Sequence, residues 1–200
     1  MQRHFDVDLA ELRHFLVTMG ALAESMLGQA VRLLSDDDEQ AAEKLYEDER
    51  EVNRLHMQID DTCLRLLALR QPAAADLRLI ASALKMNADL ERIGDQAINL
   101  LKRAQTLDRQ PGEWPTIDLS PLVRIASSMV ADALDAFIRK DVSLARKVLE
   151  DEKMADELRR EIESVLVMQA EKHTHNFMQL LQLILVTHHP ERIADHATNI

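Results

Sequence analysis

Leu9, Leu12, Leu16, Met19, Ala23, Met26, Ala30 and Leu33 step by three and four along the start of the chain without a miss. That spacing lays one apolar stripe along one side of an α-helix and is wrong for the two-residue period of a strand. The stripe is a coiled-coil-like seam, so the chain must supply further helices to cover it. Composition agrees. Gly and Pro number 4 and 5 in 200 residues, and aromatics make up 3%, so hairpin turns and aromatic-rich strands are scarce. An all-β fold is excluded. The length suffices for a core without disulfides, and 46% hydrophobic content argues against disorder.

The same stepping predicts five more helices. Asp8 with Glu11 reads as a capping box for the first helix, and the Asp36-Asp37-Asp38 cluster as its end and the cap of the next. Helix 2 is expected from about Glu39 to Leu69, with Leu45, Val52, Leu55, Ile59, Leu66 and Leu69 on its seam. Pro72 stops it and opens helix 3, which carries Leu77, Ile80, Leu84, Ile98 and Leu101. Residues 108–116, with Pro111, Gly112 and Pro115, form the one linker. Ser120 before Pro121 reads as the cap of helix 4, which runs to about Arg139. Asp141 then caps helix 5, to about Met168, and helix 6 runs from near Asn176 to the end. Pro190 should kink helix 6 and free the carbonyl of Val186.

A repeat organises these helices. ERIGDQAINL at 91–100 and ERIADHATNI at 191–200 match at six of ten positions, offset by 100. Glu47-Asp48-Glu49-Arg50 aligns with Glu150-Asp151-Glu152-Lys153 at offset 103, in the helix before each copy. The expected fold is therefore all-α, two tandem three-helix bundles related by internal duplication. Residues 1–107 make the first bundle, 108–116 the linker and 117–200 the second bundle.

The repeated residues are carboxylates one turn apart. Glu91 and Asp95 share a face of helix 3, and Glu191 and Asp195 share the corresponding face of helix 6. Helix 5 offers Glu152 and Asp156, and helix 2 offers Glu49 and Asn53. Oxygen donors held on rigid neighbouring helices suit hard or borderline cations such as Mg²⁺, Mn²⁺, Fe and Ca²⁺. Extending the seam from Leu84 puts Asn87, Glu91 and Gly94 where apolar residues belong, and Gly94 would permit close helix approach. A blander reading stands beside this one. With 35 acids in 200 residues, about six acid pairs at this spacing arise by chance, and a solvated salt-bridged face would look the same. His188, His189 and His196 have no counterparts in the first copy and read as exposed helix histidines, although one of them could join a second-half metal site. His14 and His56 read as surface positions.

Other chemistry is poorly represented. Cys63 is the single cysteine, which rules out an intramolecular disulfide and a thiolate zinc site, and its helical register reads as buried packing. One ExxH, Glu11 to His14, falls short of the two that a di-iron oxidase needs. No activated nucleophile, HExxH or glycine-rich phosphate loop is present. The charge of −11 disfavours nucleic acid and anionic lipid as direct partners and favours cations and basic protein surfaces. The opening MQRHFDVDLA is not a signal peptide, and LLQLILV at 180–186 is too short to span a bilayer, so a cytoplasmic, non-enzymatic binding protein is expected.

The order CLRLLALRQPAAADLRLI at 63–80, LERIGD at 90–95 and ERIADHATNI at 191–200 resembles the PhoU family of bacterial phosphate-signalling regulators. The resemblance covers essentially the whole chain. It implies metal ions (Fe, Mn, Mg or Zn) on the two acidic faces. In the first half these map onto Asp48, Glu49, Asn53, Glu91 and Asp95, and in the second onto Asp151, Glu152, Asp156, Glu191 and Asp195. Asn53 departs from the family's acid pair. The resemblance also implies repression of the phosphate-starvation response, by linking the phosphate ABC transporter's ATPase subunit to a sensor histidine kinase, and it allows a homodimer. The rival class is a metal-storing or metal-dependent, carboxylate-bridged helical-bundle enzyme.

Overall fold

The computed structural model describes residues 2–36, 38–70, 72–106, 117–172 and 177–200. They form six helices: α1 (Gln2–Ser35), α2 (Glu39–Arg70), α3 (Ala74–Thr106), α4 (Ser120–Arg139), α5 (Val142–Lys172) and α6 (Phe177–Asn199). No strand occurs among the described residues. The linker expected at 108–116 lies outside them.

The seam of α1 is buried from end to end, with Leu9, Leu12, Leu16, Met19, Ala23, Met26, Ala30 and Leu33 all within the core. Helices α1, α2 and α3 pack on one another, as do α4, α5 and α6. The two triplets are not separate bodies. Helix α3 lies against α6 and α1 against α4, and one apolar core runs from Leu9 through Val130 to Ala197. Leu166, Leu180 and Leu183 make a smaller cluster between α5 and α6.

Caps fix where the helices start. Asp38 accepts the backbone N–H groups of Gln40 and Ala41 at 2.9 and 3.0 Å, opening α2. Asp141 does the same for Ser143 and Leu144 at 2.9 and 3.1 Å, opening α5. The two aspartates are 103 residues apart, so the duplication reaches the caps. Between α4 and α5 the turn is only Lys140-Asp141, with Lys140 in the left-handed region at φ 58° and its N–H bonded back to α4.

Four sequence expectations change. Helix α1 extends back to Gln2, so Asp8 and Glu11 sit inside it and form no capping box at its start. Leu119, not Ser120, occupies the N-cap of α4, and Asp118 accepts the Ser120 N–H at 2.9 Å instead. Leu69 and Leu77 are exposed, at 72% and 46%, because both flank the α2–α3 turn where no third helix covers the stripe. Helix α5 runs on past Met168 to Lys172. Helix α6 continues through Pro190 to Asn199. Cys63 is fully buried, and burial pushes its thiol up to about 12, so it is inert packing. No helix among the described residues is long and apolar enough to cross a membrane.

Candidate functional site

The first acidic face lies where α2 crosses α3. Gly94 makes the crossing close: a Cβ built there would stand 3.2 Å from Val52 Cγ1. Beside this contact Glu91 is half-buried, and its carboxyl is raised above the usual range by burial first, then by the charges of Asp95 and Glu49. His56 and Arg92 pull it back. His56 is thus no mere surface residue. Its Nδ1 lies 3.4 Å from the Asn87 carbonyl oxygen, which can only accept, so Nδ1 carries the proton and Nε2 presents a lone pair in the neutral ring. Asp60 Oδ2 lies 3.8 Å from that Nε2.

Asn87 ties the face together. It is fully buried, and its Nδ2 donates to the His56 carbonyl at 2.9 Å and to Asp60 Oδ1 at 2.8 Å. Two acceptors around one nitrogen fix the amide orientation and leave Asn87 Oδ1 buried with no partner.

The second face repeats this plan with different chemistry. At offset 103, Arg159 replaces His56 and Glu163 replaces Asp60; at offset 100, Thr187 replaces Asn87. Arg159 Nη1 donates to Glu163 Oε1 at 2.8 Å, and its Nε stands 3.6 Å from Glu191 Oε1. Thr187 donates its hydroxyl to the Ile184 carbonyl at 2.7 Å. Glu191 is raised by burial, then by Asp195, with Asp156 adding to it and Arg159 and Arg192 opposing. Asp195 is raised by burial and then by Asp156. Arg160 neutralises part of Asp156 at 3.1 Å.

The expected ligands therefore divide. Glu49, Glu91 and Asp95 interact on the first face, and Asp156, Glu191 and Asp195 on the second. Asp48 turns toward α1, whose Gln29 donates to it at 3.2 Å, and Lys44 one turn earlier on α2 pairs with it at 2.8 Å. Asp151, its counterpart, pairs with Lys147 at 3.2 Å, and Lys147 also holds Asp132 of α4 at 2.6 Å. Asn53 is exposed and Glu152 half-buried. Among the described residues no three His, Cys, Asp or Glu side chains stand close enough to hold a metal ion as they are. The donor set nonetheless fits a hard or borderline cation. Carboxylates that repel one another, with Glu49, Glu91, Asp156 and Glu191 half-buried and Asp95 and Asp195 exposed, one imidazole lone pair and an orphaned amide oxygen are all relieved by a positive charge. His56, Asp60, Asn87, Arg159 and Glu163 were not singled out by sequence as site residues. Carrying the 103-residue offset ten residues past Arg50 and Lys153 would have found four of them.

Two histidines read as exposed instead build the contact between α3 and α6. His189 is 9% exposed; its Nδ1 donates to Gln96 Oε1 at 2.9 Å and its Nε2 accepts from Arg103 Nε at 3.2 Å. Burial, then Arg103, Arg192 and His188, press its pKa down to about 4, so the ring is neutral. His196 pairs with Asp89 at 3.0 Å. Position 189 corresponds to 89 and 196 to 96 in the repeat, so the contacts 96–189 and 89–196 exchange under the duplication. The helices run antiparallel about a two-fold that passes near Arg92 and Arg192.

The PhoU domain model matches residues 16–104 and 119–200, once in each half. The chain is 37% identical over its full length to a phosphate-specific transport system accessory protein PhoU homolog of Pseudomonas putida, covering 78% of that protein. It is 31% identical over 98% of its length to the accessory protein PhoU of Escherichia coli K12, of which it covers 81%. The crystal structure of PhoU from Pseudomonas aeruginosa superposes with a TM-score of 0.89 at 37% identity, covering 98% of this chain and 94% of that one. The phosphate transport system regulatory protein PhoU from Streptococcus pneumoniae gives 0.87 at 27% identity, covering 98% and 92%. With the duplicated helices, the repeated carboxylates and a family match in each half, the chain belongs to the PhoU family.

Proposed function

We propose that this chain is a regulatory accessory component of a phosphate-uptake system, acts on the cytoplasmic side and catalyses nothing. Relatives named for their accessory role in phosphate-specific transport support this reading. The chain represses the phosphate-starvation response when phosphate is plentiful, by linking the transporter's ATPase subunit to a sensor histidine kinase. A net charge of −11 suits basic protein surfaces over nucleic acid.

The two acidic faces hold divalent cations on this reading. Glu49, Glu91 and Asp95, with the Nε2 of His56, are the first-face donors; Asp156, Glu191 and Asp195 are those of the second. A bound cation supplies the positive charge that lets the carboxylates stay ionised side by side. The observation that carries this is Glu91, raised by burial and by two neighbouring acids while no lysine or arginine comes within ion-pair distance of it among the described residues.

The test is Glu91→Ala with Asp95→Ala, measured by elemental analysis of the purified protein and by a phosphate-starvation reporter in phosphate-rich medium. Loss of metal with derepression is the expected result. Unchanged metal content would return these carboxylates to a solvated salt-bridged face. Full metal loss with normal repression would separate the ion from signalling.

A further inference from the structure

A basic cleft departs from the chain's overall acidity. A cavity of about 690 Å³ opens between α3 and α6, and its lining among the described residues includes Lys102, Arg103 and Arg192 but no carboxylate. In a chain with 35 acids and 24 bases, that is a reversal of sign. Three permanent charges converging from two helices raise the local concentration of anions.

Lys102 and Arg103 form no ion pair with an acid among the described residues. Arg103 donates its Nε to His189 and its Nη1 to Gln182 Oε1 at 3.1 Å, both neutral partners, so the guanidinium is held in place with its charge unspent. Two of its five N–H donors are used there, leaving three. Lys102 is exposed, and no acid stands within ion-pair distance of Lys102 or Arg192 among the described residues. Glu163 lies 3.4 Å from His188 at the rim, where Arg159 already holds it, and Arg192 also feels Glu191 and Asp195 of the second face. Behind Arg103 the chain of bonds from Gln96 through His189 fixes its position. Uncharged amides complete the wall: Gln96, Asn99 and Gln182.

We propose that this cleft is an anion site for a diphosphoryl group, the shared chemistry of free pyrophosphate and of a nucleoside diphosphate. One ammonium and two planar guanidiniums match an anion of two or more phosphoryl units, whose oxygens Arg can grip in pairs. The volume is that of a whole small-ligand pocket and larger than a single phosphate fills. No Phe, Tyr or Trp lines the cleft among the described residues, so the phosphoryl groups carry the recognition. Because α3 belongs to one triplet of helices and α6 to the other, the occupant bridges the two halves at their two-fold contact. The cleft shares no lining residue with the first acidic face, and with the second it shares the charge of Arg192.

The experiment titrates the full-length chain calorimetrically with pyrophosphate, ADP and inorganic phosphate, at constant ionic strength and with EDTA present so that no cation bridges. Pyrophosphate should bind saturably and more tightly than phosphate. Arg103→Gln should weaken it about tenfold or more, and Lys102→Gln, on an exposed side chain that supports no packing, by about threefold or more. Glu91→Ala with Asp95→Ala should leave it unchanged, which keeps this result distinct from the metal reading. Equal affinities for ADP and pyrophosphate support the site with the diphosphoryl group as the whole determinant; pyrophosphate alone supports it with the free anion as ligand. Three results overturn it: no saturation below on the order of 1 mM, phosphate binding as tightly as pyrophosphate, or the same affinity in both cleft variants. The first would leave the basic cleft to an acidic segment of a protein partner.

Discussion

The two acidic faces share one blueprint and differ in who supplies the positive charge. On the second face Arg159 is built in, 2.8 Å from Glu163 and 3.6 Å from Glu191. On the first face the same position holds His56, which carries no permanent charge and whose Nε2 lies 3.8 Å from Asp60 Oδ2. The second face is thus partly neutralised by its own ion pairs, whereas on the first Glu91 is opposed only by His56 and Arg92, neither in an ion pair with it, and under the proposed reading its cation comes from solution. Duplicated scaffolds free one copy to change, and here the changed residue decides whether the site is self-sufficient or open.

The largest expected effect follows directly. In paired variants, Glu91→Ala/Asp95→Ala and Glu191→Ala/Asp195→Ala, elemental analysis should find that the first loses more metal than the second. Equal losses would mean that Arg159 does not compete with a bound cation, and the contrast between the faces would fail.

Next in size is Arg159 itself. Its side chain is 17% exposed and that of Glu191 16%, so Arg159→Ala strands two acids in a poorly solvated place. The cost should be about 2–3 kcal/mol by denaturant unfolding, below the value for a fully buried pair. His56→Ala removes no permanent charge and should cost less than half as much. His56→Arg should import the second face's solution, lowering divalent-cation affinity while stabilising the metal-free protein.

A pH comparison sharpens the same point. Glu91, Glu191 and Asp195 are raised in the folded chain, so the native state binds more protons than the unfolded one through the carboxylate range. Their contribution to stability is present at low pH and is lost as pH rises through the folded values. With EDTA, Glu91→Gln should therefore be more stable than the parent at neutral pH, with the advantage vanishing near pH 4. Saturating divalent cation should reverse the order at neutral pH, and no reversal would argue against a cation on this face.

How much of this was legible in the sequence depends on distance along the chain. The α1 seam was read residue for residue, because helical period alone decides which side is buried. The acids at Glu91 and Glu191 were legible because the repeat marked them. Their partners were not. His56 looked like surface since its own helix gives no sign that Asn87 and Glu91 of α3 will cover it. His189 looked exposed since its partners Gln96 and Arg103 lie on α3, 93 and 86 residues away in the chain. Period predicts a face; it does not predict what packs there. Asp8 misled for a related reason: a capping pattern is a local signal, and propagation of the helix to Gln2 overrode it.

Caps test whether the halves are energetically as well as structurally repeated. Asp38→Ala and Asp141→Ala each remove an acceptor for two helix N–H groups and should each cost about 1 kcal/mol. The two values should agree within a few tenths. A gap much larger than that would show that α2 and α5 contribute unequally to the fold.

The smallest effect isolates the helix crossing under the first face. Gly94 lies against Val52, and the corresponding residues of the second half are Ala194 and Ala155, all four buried. A larger residue in one helix is matched by a smaller one in the other, so the crossing keeps nearly the same volume in both halves. Gly94→Ala alone gains up to about 1 kcal/mol of helix propensity and loses a similar amount by pressing a methyl onto Val52 Cγ1 at 3.2 Å. Val52→Ala alone should cost about 2 kcal/mol through the space it leaves. The double variant reproduces the second half's pair, so the new methyl fills part of that space. A double-mutant cycle should give a coupling of about 0.5–1 kcal/mol in favour of the pair. Additive costs would mean that α2 and α3 shift apart independently of this contact, and that the spacing of the carboxylates above it is set elsewhere.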